Sequence, residues 1–518
     1  MSLFKIFHSF SWQKRVLLLI AIFSIIRLCV VFTLELGTDE SYYRLYGQLL
    51  QWNYFDHPPM VAIWVRAFTV NLLLEKFEGF IRLGSVTGCA LSTWLMYKLV
   101  SQLSTEKAGW FAACLYNASF YTGITAGIFI MPDAPQMIFW TLSLWMIIKI
   151  TIDDRKWLYW ILLGAAAGLC IMSKIHGIFI WFGLGLYTIF FQREWLKNPR
   201  FYVAAMITLL FISPIFIWNI NYDFVTYRFH SERVEFDPLS PKWFGIIREF
   251  VGQLVLNNPI NAILIFIALI KYKELKKSMQ ALTIFNCIGL PFILVLLAIS
   301  LYRDTLPHWS GPAYVALLPL AAINLAKINQ SAAMAALHRW SPALFIISLI
   351  TFILIIHYYP GTLGNTSHQD LGKGDIAVDN YGWREAGNKF AAIYKEDIRK
   401  GKVLEGTPVV CNKWWGAHEE YYFCRPIDIQ MIGLGIMNNL HHYMWMNKLR
   451  KAKVNFKNAY CIVPSIDHYD VHKAYADYYS TIDSVTVIEV IRSGKPSNNF
   501  KIYRLGGWKN NLPEANKR

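Results

Sequence analysis

The run Gly37-Thr38-Asp39-Glu40-Ser41-Tyr42-Tyr43 directly follows the first long apolar segment of the chain, Val16 to Leu36. Ionised carboxylates beside hydrocarbon are costly unless they pair, bind a metal or take part in chemistry, so two adjacent acids at a membrane surface indicate a functional site. The alternative is that Asp39 only caps the helix that follows it. Capping leaves the next polar block, Tyr54-Phe55-Asp56-His57-Pro58-Pro59, unexplained.

The composition is typical of a polytopic membrane protein. Of the 518 residues, 55% are hydrophobic, 16% aromatic and only 16% charged, and the mean hydropathy is +0.33. We interpret Val16 to Leu36 as a retained span, because no small-residue cleavage site ends it. The net charge is +16, and the basic residues lie mainly in short loops and in the C-terminal region. The positive-inside rule explains much of this distribution. We therefore predict membrane lipids as partners, and no nucleic acid.

Ten further apolar runs predict about eleven spans at the usual length of about 20 residues each. The runs lie near 80–103, 109–130, 134–151, 157–173, 175–191, 201–219, 244–270, 281–300, 309–327 and 342–359. Between the first two spans, the loop 39–79 contains two amphipathic segments, Tyr42 to Trp52 and Met60 to Phe77, whose spacing predicts helices lying in the membrane interface.

Basic residues fall on alternate loops and predict the orientation of the chain. The basic loops carry Lys98 with Lys107, Asp153 to Lys156, Arg193 to Arg200, Lys271 to Lys277, and Lys327 to Arg339. By the positive-inside rule these loops and the N-terminus are cytoplasmic, in a multi-pass protein of the cell inner membrane. The loop 39–79, the loops near 131–135, 173–176, 219–243 and 302–308, and everything after Tyr359 are then extracytoplasmic.

The composition becomes polar at about residue 360, which predicts two domains. Residues 1–359 form the transmembrane domain with the first extracytoplasmic loop 37–79, and residues 360–518 form a small α/β extracytoplasmic domain. Within this tail, Trp383 to Lys400 has helical spacing. Four segments have strand-like spacing: Thr407 to Cys411, Tyr460 to Val463, Val485 to Ile491 and Phe500 to Leu505.

Acidic and basic side chains from several loops are predicted to meet on the extracytoplasmic face, with aromatic residues that include Tyr43 and Tyr54. The charged and titratable members are Asp39, Glu40, Asp56, His57, Asp133, Lys174, His230 and His308. Carboxylates beside cations and aromatic rings suit an enzyme that binds a sugar and the phosphate of a lipid carrier. Asp39 could take a proton from an acceptor hydroxyl, while His57, Lys174 or a metal neutralises the departing phosphate.

Several motifs together resemble the glycosyltransferase 39/83 group. They are Asp39-Glu40-Ser41-Tyr42-Tyr43, Tyr54-Phe55-Asp56-His57-Pro58-Pro59, Met131-Pro132-Asp133-Ala134-Pro135 with Phe139-Trp140, Ser173-Lys174, Pro214 with Trp218-Asn219, Pro307-His308-Trp309 and Tyr381-Gly382-Trp383. This group has the GT-C fold and includes protein O-mannosyltransferases and the aminoarabinose transferase of lipid A. The resemblance implies transfer of a sugar from a polyprenyl-phosphate donor to a lipid, glycan or protein acceptor, with no nucleotide cofactor.

The resemblance also implies roles for individual residues. Asp39 matches the catalytic acid of the first loop, and Glu40 matches the second acid of the mannosyltransferases. His57 lies where the aminoarabinose enzymes carry a lysine that meets the donor phosphate. Donor-binding positions are Tyr43, Tyr54, His57, Asp133, Lys174 and His308. A divalent metal is a candidate cofactor, with Asp56 and His230 as its ligands.

Each of the other positions has a simpler structural alternative. Asp133 could be only a turn residue and helix cap, Lys174 could extend from a helix end to the membrane interface, and His308 beside Trp309 could be an interfacial anchor. For the whole protein, the alternatives are a transporter or flippase and a membrane scaffold. A transporter would place its acids near the bilayer midplane and often shows paired repeats, whereas this chain has acids at segment ends and no evident repeat.

Overall fold

The computed structural model describes residues 10–232, 241–278, 280–327, 332–450 and 454–509. The chain divides into two compact units. The helical unit comprises Met1–Phe32 and Leu50–Ser348, and the sheet unit comprises Thr33–Leu49 and Leu349–Arg518. The segment with Asp39 and Glu40 is thus part of the same compact unit as the C-terminal region, whereas the sequence interpretation kept the whole loop 37–79 with the spans.

The helical unit is built from apolar helices joined by short connections. They are α1 Trp12–Val31, α3 Met60–Phe68, α4 Glu78–Leu103, α5 Glu106–Ala118, α6 Asp133–Ile152, α7 Trp157–Ser173, α8 Ile178–Phe191, α9 Pro199–Asn221, α10 Val225–Glu232, α11 Trp243–Leu256, α12 Pro259–Ile270, α13 Tyr272–Ser278, α14 Thr283–Ser300, α15 Gly311–Lys327 and α16 Ala332–Tyr358, which continues into the sheet unit. Shorter turns of 3₁₀ helix lie at Ile175–Gly177, Arg193–Lys197, Gln280–Leu282 and Pro307–Ser310, and one turn of π-helix lies at Tyr121–Thr125.

Among the described residues, five helical segments are long and apolar enough to cross a membrane: Asp133–Ile152, Pro199–Asn221, Thr283–Ser300, Pro307–Lys327 and Ala336–Tyr358. The pair α11 and α12 makes six if it is counted as one span, and two further apolar helices, Trp157–Ser173 and Ile175–Phe191, are shorter. The predicted number of about eleven spans stays a prediction.

The apolar run 244–270 is not one continuous helix. Its two halves, α11 and α12, meet at an angle of 101°, with Asn258 in a left-handed conformation at φ +65°. The side chain of Asn258 donates to the carbonyl oxygens of Ala118 at 2.8 Å and Ser341 at 3.0 Å. Pro259 follows and cannot donate a helical hydrogen bond, so the break is built into the sequence.

The run 109–130 is also interrupted, by the π-helical turn Tyr121–Thr125 after α5. The carbonyl oxygen of Gly123 accepts a hydrogen bond from Nε of Arg27 at 3.1 Å, and Oδ1 of Asn117 accepts from Nη1 of the same arginine at 3.1 Å. Single turns of π-helix redirect side chains and occur often at functional sites. In this chain the turn carries Tyr121.

The sheet unit contains a five-stranded mixed sheet with strand order β2-β1-β3-β5-β4. The strands are β1 Val409–Cys411, β2 Met431–Gly433, β3 Asn458–Pro464, β4 Tyr479–Arg492 and β5 Lys495–Trp508. β1 lies parallel to β2 and β3, and β5 runs antiparallel to β3 and β4. The helices are α2 Thr38–Gln48, α17 Trp383–Arg399, α18 Gly416–Glu419, α19 Met437–Leu440, α20 Tyr443–Arg450 and α21 Val471–Tyr475, with 3₁₀ turns at Ile376–Asn380, Arg425–Ile427 and Ser465–Asp467 and a π turn at Glu420–Cys424.

The secondary structure of the tail agrees with the predicted helix and with all four predicted strands. The predicted helix Trp383 to Lys400 is α17, and it lies within one residue of the expected bounds. The strand β2, with three residues, was not predicted, because a segment of this length is too short to show an alternating pattern. The domain boundary at residues 359 and 360 stays a prediction.

Candidate active site

A buried ion pair lies at the centre of the candidate site in the helical unit. Nζ of Lys174 donates to Oδ1 of Asp133 at 3.0 Å and to Oδ2 at 2.8 Å. Asp133 is fully buried, and Lys174 is 4% exposed. The hydroxyl of Tyr121 donates to the same carboxylate at 2.8 Å. Asp133 therefore does more than cap a helix, and the burial of Lys174 does not match a lysine that extends to the interface.

Helix ends bring these groups together. Asp133 lies in the first turn of α6, where the helix dipole favours a negative charge. Lys174 follows the last residue of α7 in an extended conformation, and its carbonyl oxygen accepts a long hydrogen bond of 3.4 Å from Nε2 of Gln136. The π-helical turn supplies Tyr121. Both charges of the pair are thus fixed by backbone ends, and neither depends on a long mobile loop.

Three histidines lie within electrostatic range of this pair. His57, His176 and His308 each interact with both Lys174 and Asp133. We call these five residues, Asp133, Lys174 and the three histidines, the phosphate cluster. His57 lies in the first loop, His176 in the 3₁₀ turn after α7, and His308 in the 3₁₀ turn before α15. The cluster therefore collects residues from four separate segments of the chain.

The imidazole of His176 is held between aromatic rings and keeps one nitrogen available. Its ring centre lies 5.4 Å from that of Phe292 and 5.6 Å from that of Trp309. Its Nδ1 atom is buried and has no hydrogen-bond partner among the described residues. An unsatisfied buried polar atom costs about 1–3 kcal/mol. A ligand that bonds to this nitrogen would recover that free energy.

The block around His57 is fixed by backbone hydrogen bonds. The amide of Tyr54 donates to the carbonyl oxygen of His57 at 3.1 Å. The carbonyl oxygen of Tyr54 accepts from Thr226 at 3.0 Å and from Asn53 at 3.0 Å. Burial lowers the pKa of His57 to about 4, although Asp56 opposes this shift. His57 is therefore neutral at pH 7 and can offer an imidazole N–H to a ligand.

The predicted metal ligands Asp56 and His230 are neighbours, and the imidazole of His230 contacts the backbone of Asp56. Nε2 of His230 lies 2.9 Å from the backbone carbonyl oxygen of Asp56, and Oδ2 of Asp56 lies 3.9 Å from Nε2 of His57. No group of three or more histidine, cysteine, aspartate or glutamate side chains suited to a metal occurs among the described residues. A metal ion held by Asp56 and His230 stays a prediction.

The two acids of the first motif occupy the first turn of α2, in the sheet unit, and differ in environment. Asp39 is exposed. Glu40 is only 3% exposed, and its Oε2 accepts a hydrogen bond from the amide of Gly37 at 2.9 Å. The geometry gives Glu40 a capping contact at the start of α2, and its role as the second catalytic acid stays a prediction. Tyr43 is 5% exposed and packs against Tyr42 and Tyr46, with ring centres 5.8 and 5.7 Å away.

A second pair of adjacent acids, which the sequence interpretation did not single out, is buried in the sheet unit. Burial, with a smaller effect of Asp467, raises the pKa of Glu419 well above its usual range. Burial also opposes ionisation of Glu420, but Arg450 overcomes this effect and lowers the pKa of Glu420. Oε2 of Glu420 accepts from Nη1 of Arg450 at 2.9 Å. Two neighbours in sequence thus favour opposite protonation states.

We expect the Glu419→Gln variant to be more stable than the wild type at pH 8. At pH 5 we expect the two proteins to have nearly the same stability. The folded protein binds a proton at Glu419 that the unfolded chain has lost above its normal pKa of about 4.3, so stability falls as the pH rises through the raised pKa. Each pH unit in that window costs about 1.4 kcal/mol. The test is to measure the melting temperatures of both proteins at pH 5 and at pH 8. A difference in melting temperature that is the same at both pH values would contradict this expectation.

Four residues that the sequence interpretation did not select lie at or beside the candidate positions. They are Tyr121 and His176 in the helical unit, and Asp379 and His418 in the sheet unit. His176 lies two residues after Lys174, so its position was a usable signal. The others carry no local motif, and only the folded chain brings them to their partners.

Comparison with known proteins finds glycosyltransferases that are similar to parts of this chain. A sequence profile described as dolichyl-phosphate-mannose-protein mannosyltransferase matches residues 56–218. The chain is 21% identical over 282 residues to the lipid A galacturonosyltransferase RgtD of Rhizobium johnstonii, covering 54% of this chain and 58% of that protein. It is 29% identical over 167 residues to the undecaprenyl phosphate-alpha-4-amino-4-deoxy-L-arabinose arabinosyl transferase of Pseudomonas aeruginosa, covering 31% of this chain and 29% of that protein.

The structural comparison extends over nearly the whole chain. The crystal structure of ArnT from Cupriavidus metallidurans bound to undecaprenyl phosphate matches with a TM-score of 0.61 and 15% sequence identity, covering 95% of this chain and 99% of ArnT. The chain has the GT-C fold. This confirms the predicted GT-C fold, and the profile and the two relatives bear out the resemblance to the glycosyltransferase 39/83 group. The names of the profile and of both relatives favour a transferase with this GT-C fold over the transporter alternative.

Proposed function

We propose that this protein transfers a sugar from a polyprenyl-phosphate donor to a lipid acceptor of the lipid A type. The observation that carries the proposal is the phosphate cluster, in which a buried lysine is paired with one carboxylate and three imidazoles lie within electrostatic range of this pair. Support comes from the names of the two relatives and from the GT-C fold, which ArnT shares. The chain spans 58% and 29% of the lengths of the two relatives, so activity, substrate and partner are all part of this proposal.

The phosphate cluster suits an anionic phosphate because it offers nitrogen donors and a cation in a site with little water. In the protein alone, Asp133 balances the charge of Lys174. A phosphate that arrives beside this pair would share the ammonium group and would favour proton uptake by the nearby imidazoles. The unsatisfied Nδ1 of His176 would then gain a partner. These groups stabilise the negative charge that develops on the phosphate when it leaves the sugar.

We assign the role of general base to Asp39. Its carboxylate is exposed in the first turn of α2, where it would accept the proton of the acceptor hydroxyl as that oxygen attacks the anomeric carbon. The new bond joins the acceptor oxygen to the anomeric carbon, the bond from that carbon to the phosphate oxygen breaks, and the polyprenyl phosphate departs with the electron pair. That Asp39 and the phosphate cluster act in one pocket stays a prediction.

No step of this mechanism runs through a metal ion. Nε2 of His230 lies 2.9 Å from the backbone carbonyl oxygen of Asp56. Tyr54 acts through the backbone in this proposal, because its amide and carbonyl groups hold the His57 block in place. We also propose that the N-terminus is cytoplasmic and the tail extracytoplasmic in the inner membrane, as the distribution of the basic loops predicts.

The test is a transfer assay with a panel of donors. Purified protein in liposomes is incubated with lipid A and with undecaprenyl phosphate that carries aminoarabinose, galacturonic acid or mannose, one donor at a time. We expect mass spectrometry to show one added sugar on lipid A with one of the three donors, which also distinguishes a pentose from a hexose. The corresponding nucleotide sugars serve as controls and should give no product. Product from a nucleotide sugar, or none from any lipid-linked donor, would contradict the proposal.

A further inference from the structure

The residue directly before Asp39, Thr38, is held by a side chain that is distant in sequence but belongs to the same unit. The amide of Thr38 donates to Oδ1 and Oδ2 of Asp379 at 3.3 and 3.1 Å. The hydroxyl of Thr38 donates to Oδ1 of Asp379 at 2.6 Å. The two residues are 341 positions apart in the sequence. Asp379 therefore accepts the hydrogen bond of a backbone amide at the start of the helix. In most helices the side chain of the N-cap residue accepts such a bond.

A histidine completes this arrangement from the other side. Nε2 of His418 lies 2.7 Å from the carbonyl oxygen of Leu36, so this nitrogen carries a proton. Nδ1 of the same ring lies 3.0 Å from the hydroxyl oxygen of Thr38. The ring is fully buried and stacks on the indole of Trp383, with a distance of 3.6 Å between the ring centres. His418 thus fixes the backbone on the side of Thr38 that is remote from Asp39.

The first turn of α2 depends on these contacts because its N-cap residue is a glycine, which has no side chain to accept from the amides of the turn. The residue before the helix is Gly37, whose amide is bonded by Glu40. The far end of α2 is held separately, since Oε1 of Gln48 accepts from Arg450 at 2.8 Å and Nη1 of Arg44 lies 3.5 Å from Glu420. Loss of the contacts at Thr38 would therefore loosen the first turn and leave the rest of the helix in place.

We propose that Asp379, His418 and Thr38 form a clamp that positions Asp39 for proton transfer. This inference depends on the proposed function, because it gives Asp39 the role of base. A general base works only within hydrogen-bond reach of the proton that it takes. A shift of about 1 Å can cost roughly 100-fold in rate. The clamp residues touch neither donor nor acceptor in this proposal, and they act by orienting the turn that carries the base.

The test compares Thr38→Val with Thr38→Ser. Valine keeps the shape of threonine and removes the hydroxyl, whereas serine keeps the hydroxyl. We expect Thr38→Val to lower kcat roughly 10- to 100-fold with KM for the lipid-linked donor within about twofold. Thr38→Ser should restore most of the wild-type kcat. Asp379→Asn, which removes the charge that accepts the bonds, should resemble Thr38→Val.

Thr362→Val is the matched control, because the Thr362 hydroxyl also donates to a carboxylate, that of Asp375 at 3.0 Å, in the same unit. We expect it to leave kcat unchanged. Hydrogen exchange should be faster at amides 37–41 in Thr38→Val, with amides 43–48 unaffected. Wild-type kcat in Thr38→Val, or an equal loss in Thr38→Ser, overturns the inference. If the wild-type protein itself transfers no sugar, the proposed function is wrong. If the wild type transfers sugar but the variants do not behave as expected, only the inferred clamp is wrong.

Discussion

Asp39→Asn should abolish sugar transfer while leaving the protein folded. Asparagine keeps the size of aspartate and cannot accept the proton of the acceptor hydroxyl, so kcat should fall by about 10²- to 10⁴-fold. The cost to folding should be small, because Asp39 is exposed and a charge in the first turn of a helix contributes only about 0.3–1 kcal/mol. The measurement is the rate of transfer from the lipid-linked donor identified by the panel, together with the melting temperature.

Glu385→Gln provides the matched control for this variant. Glu385 is also an acid in the first turn of a helix of the sheet unit, α17, and its carboxylate accepts from Lys389 at 2.6 Å. We expect this control to transfer sugar at the wild-type rate. Glu40→Gln should act through stability, because its side chain bonds the amide of Gly37. Wild-type turnover in Asp39→Asn would exclude the assigned role of base.

Asp133→Asn should be strongly destabilising, and a second substitution should restore the stability without the activity. The single variant leaves the ammonium of Lys174 buried without its counter-charge, which costs about 3–5 kcal/mol in comparable pairs. In the double variant Asp133→Asn with Lys174→Met, no charge remains, the asparagine still accepts from Tyr121, and methionine fills the space of the lysine stem. We expect the melting temperature to recover and the transfer rate to remain far below that of the wild type.

The outcome separates two interpretations of the buried pair. If the double variant is both stable and active, the pair only supports the fold, and the donor phosphate does not use Lys174. If Asp133→Asn melts at the same temperature as the wild type, the pair does not hold these helix ends together. The exposed pair Lys156 and Asp153, with a distance of 3.5 Å, is the control, and the substitutions Lys156→Met and Asp153→Asn together should leave stability and activity unchanged.

Much of the fold could be predicted from the sequence because membrane helices need long apolar runs. The runs near 134–151, 157–173 and 201–219 correspond closely to α6, α7 and α9. The breaks within the runs 109–130 and 244–270 were harder to predict, because a hydropathy profile does not show a helix break inside an apolar stretch. The sequence Asn257-Asn258-Pro259 did contain a usable turn signal. The π-helical turn at Tyr121–Thr125 has no comparable signal, because its geometry depends on partners such as Arg27.

The candidate site was predictable in its members and less so in its contacts. Asp133 and Lys174 were both selected from sequence, but their pairing across 41 residues needs the folded chain. The capping function of Glu40 could have been recognised, since an acid three residues after the start of a helix often bonds back to the preceding amide. Asp379 and His418 could not, because nothing local in the sequence relates them to Thr38.

The sheet unit is built from two segments that are far apart in the sequence, and this has a consequence for the order in which it can fold during synthesis. Residues 33–49 are translated early, yet their partners Asp379, His418 and Arg450 are added only after more than three hundred further residues, as the separation of 341 between Thr38 and Asp379 shows. Contacts this distant in sequence form late. A nascent or truncated polypeptide that stops before these partners would lack the contacts of Thr38 with Asp379 and His418, and Glu40 alone would cap the turn that carries Asp39. The turn that carries Asp39 therefore becomes fully ordered only after Asp379 and His418 have been synthesised.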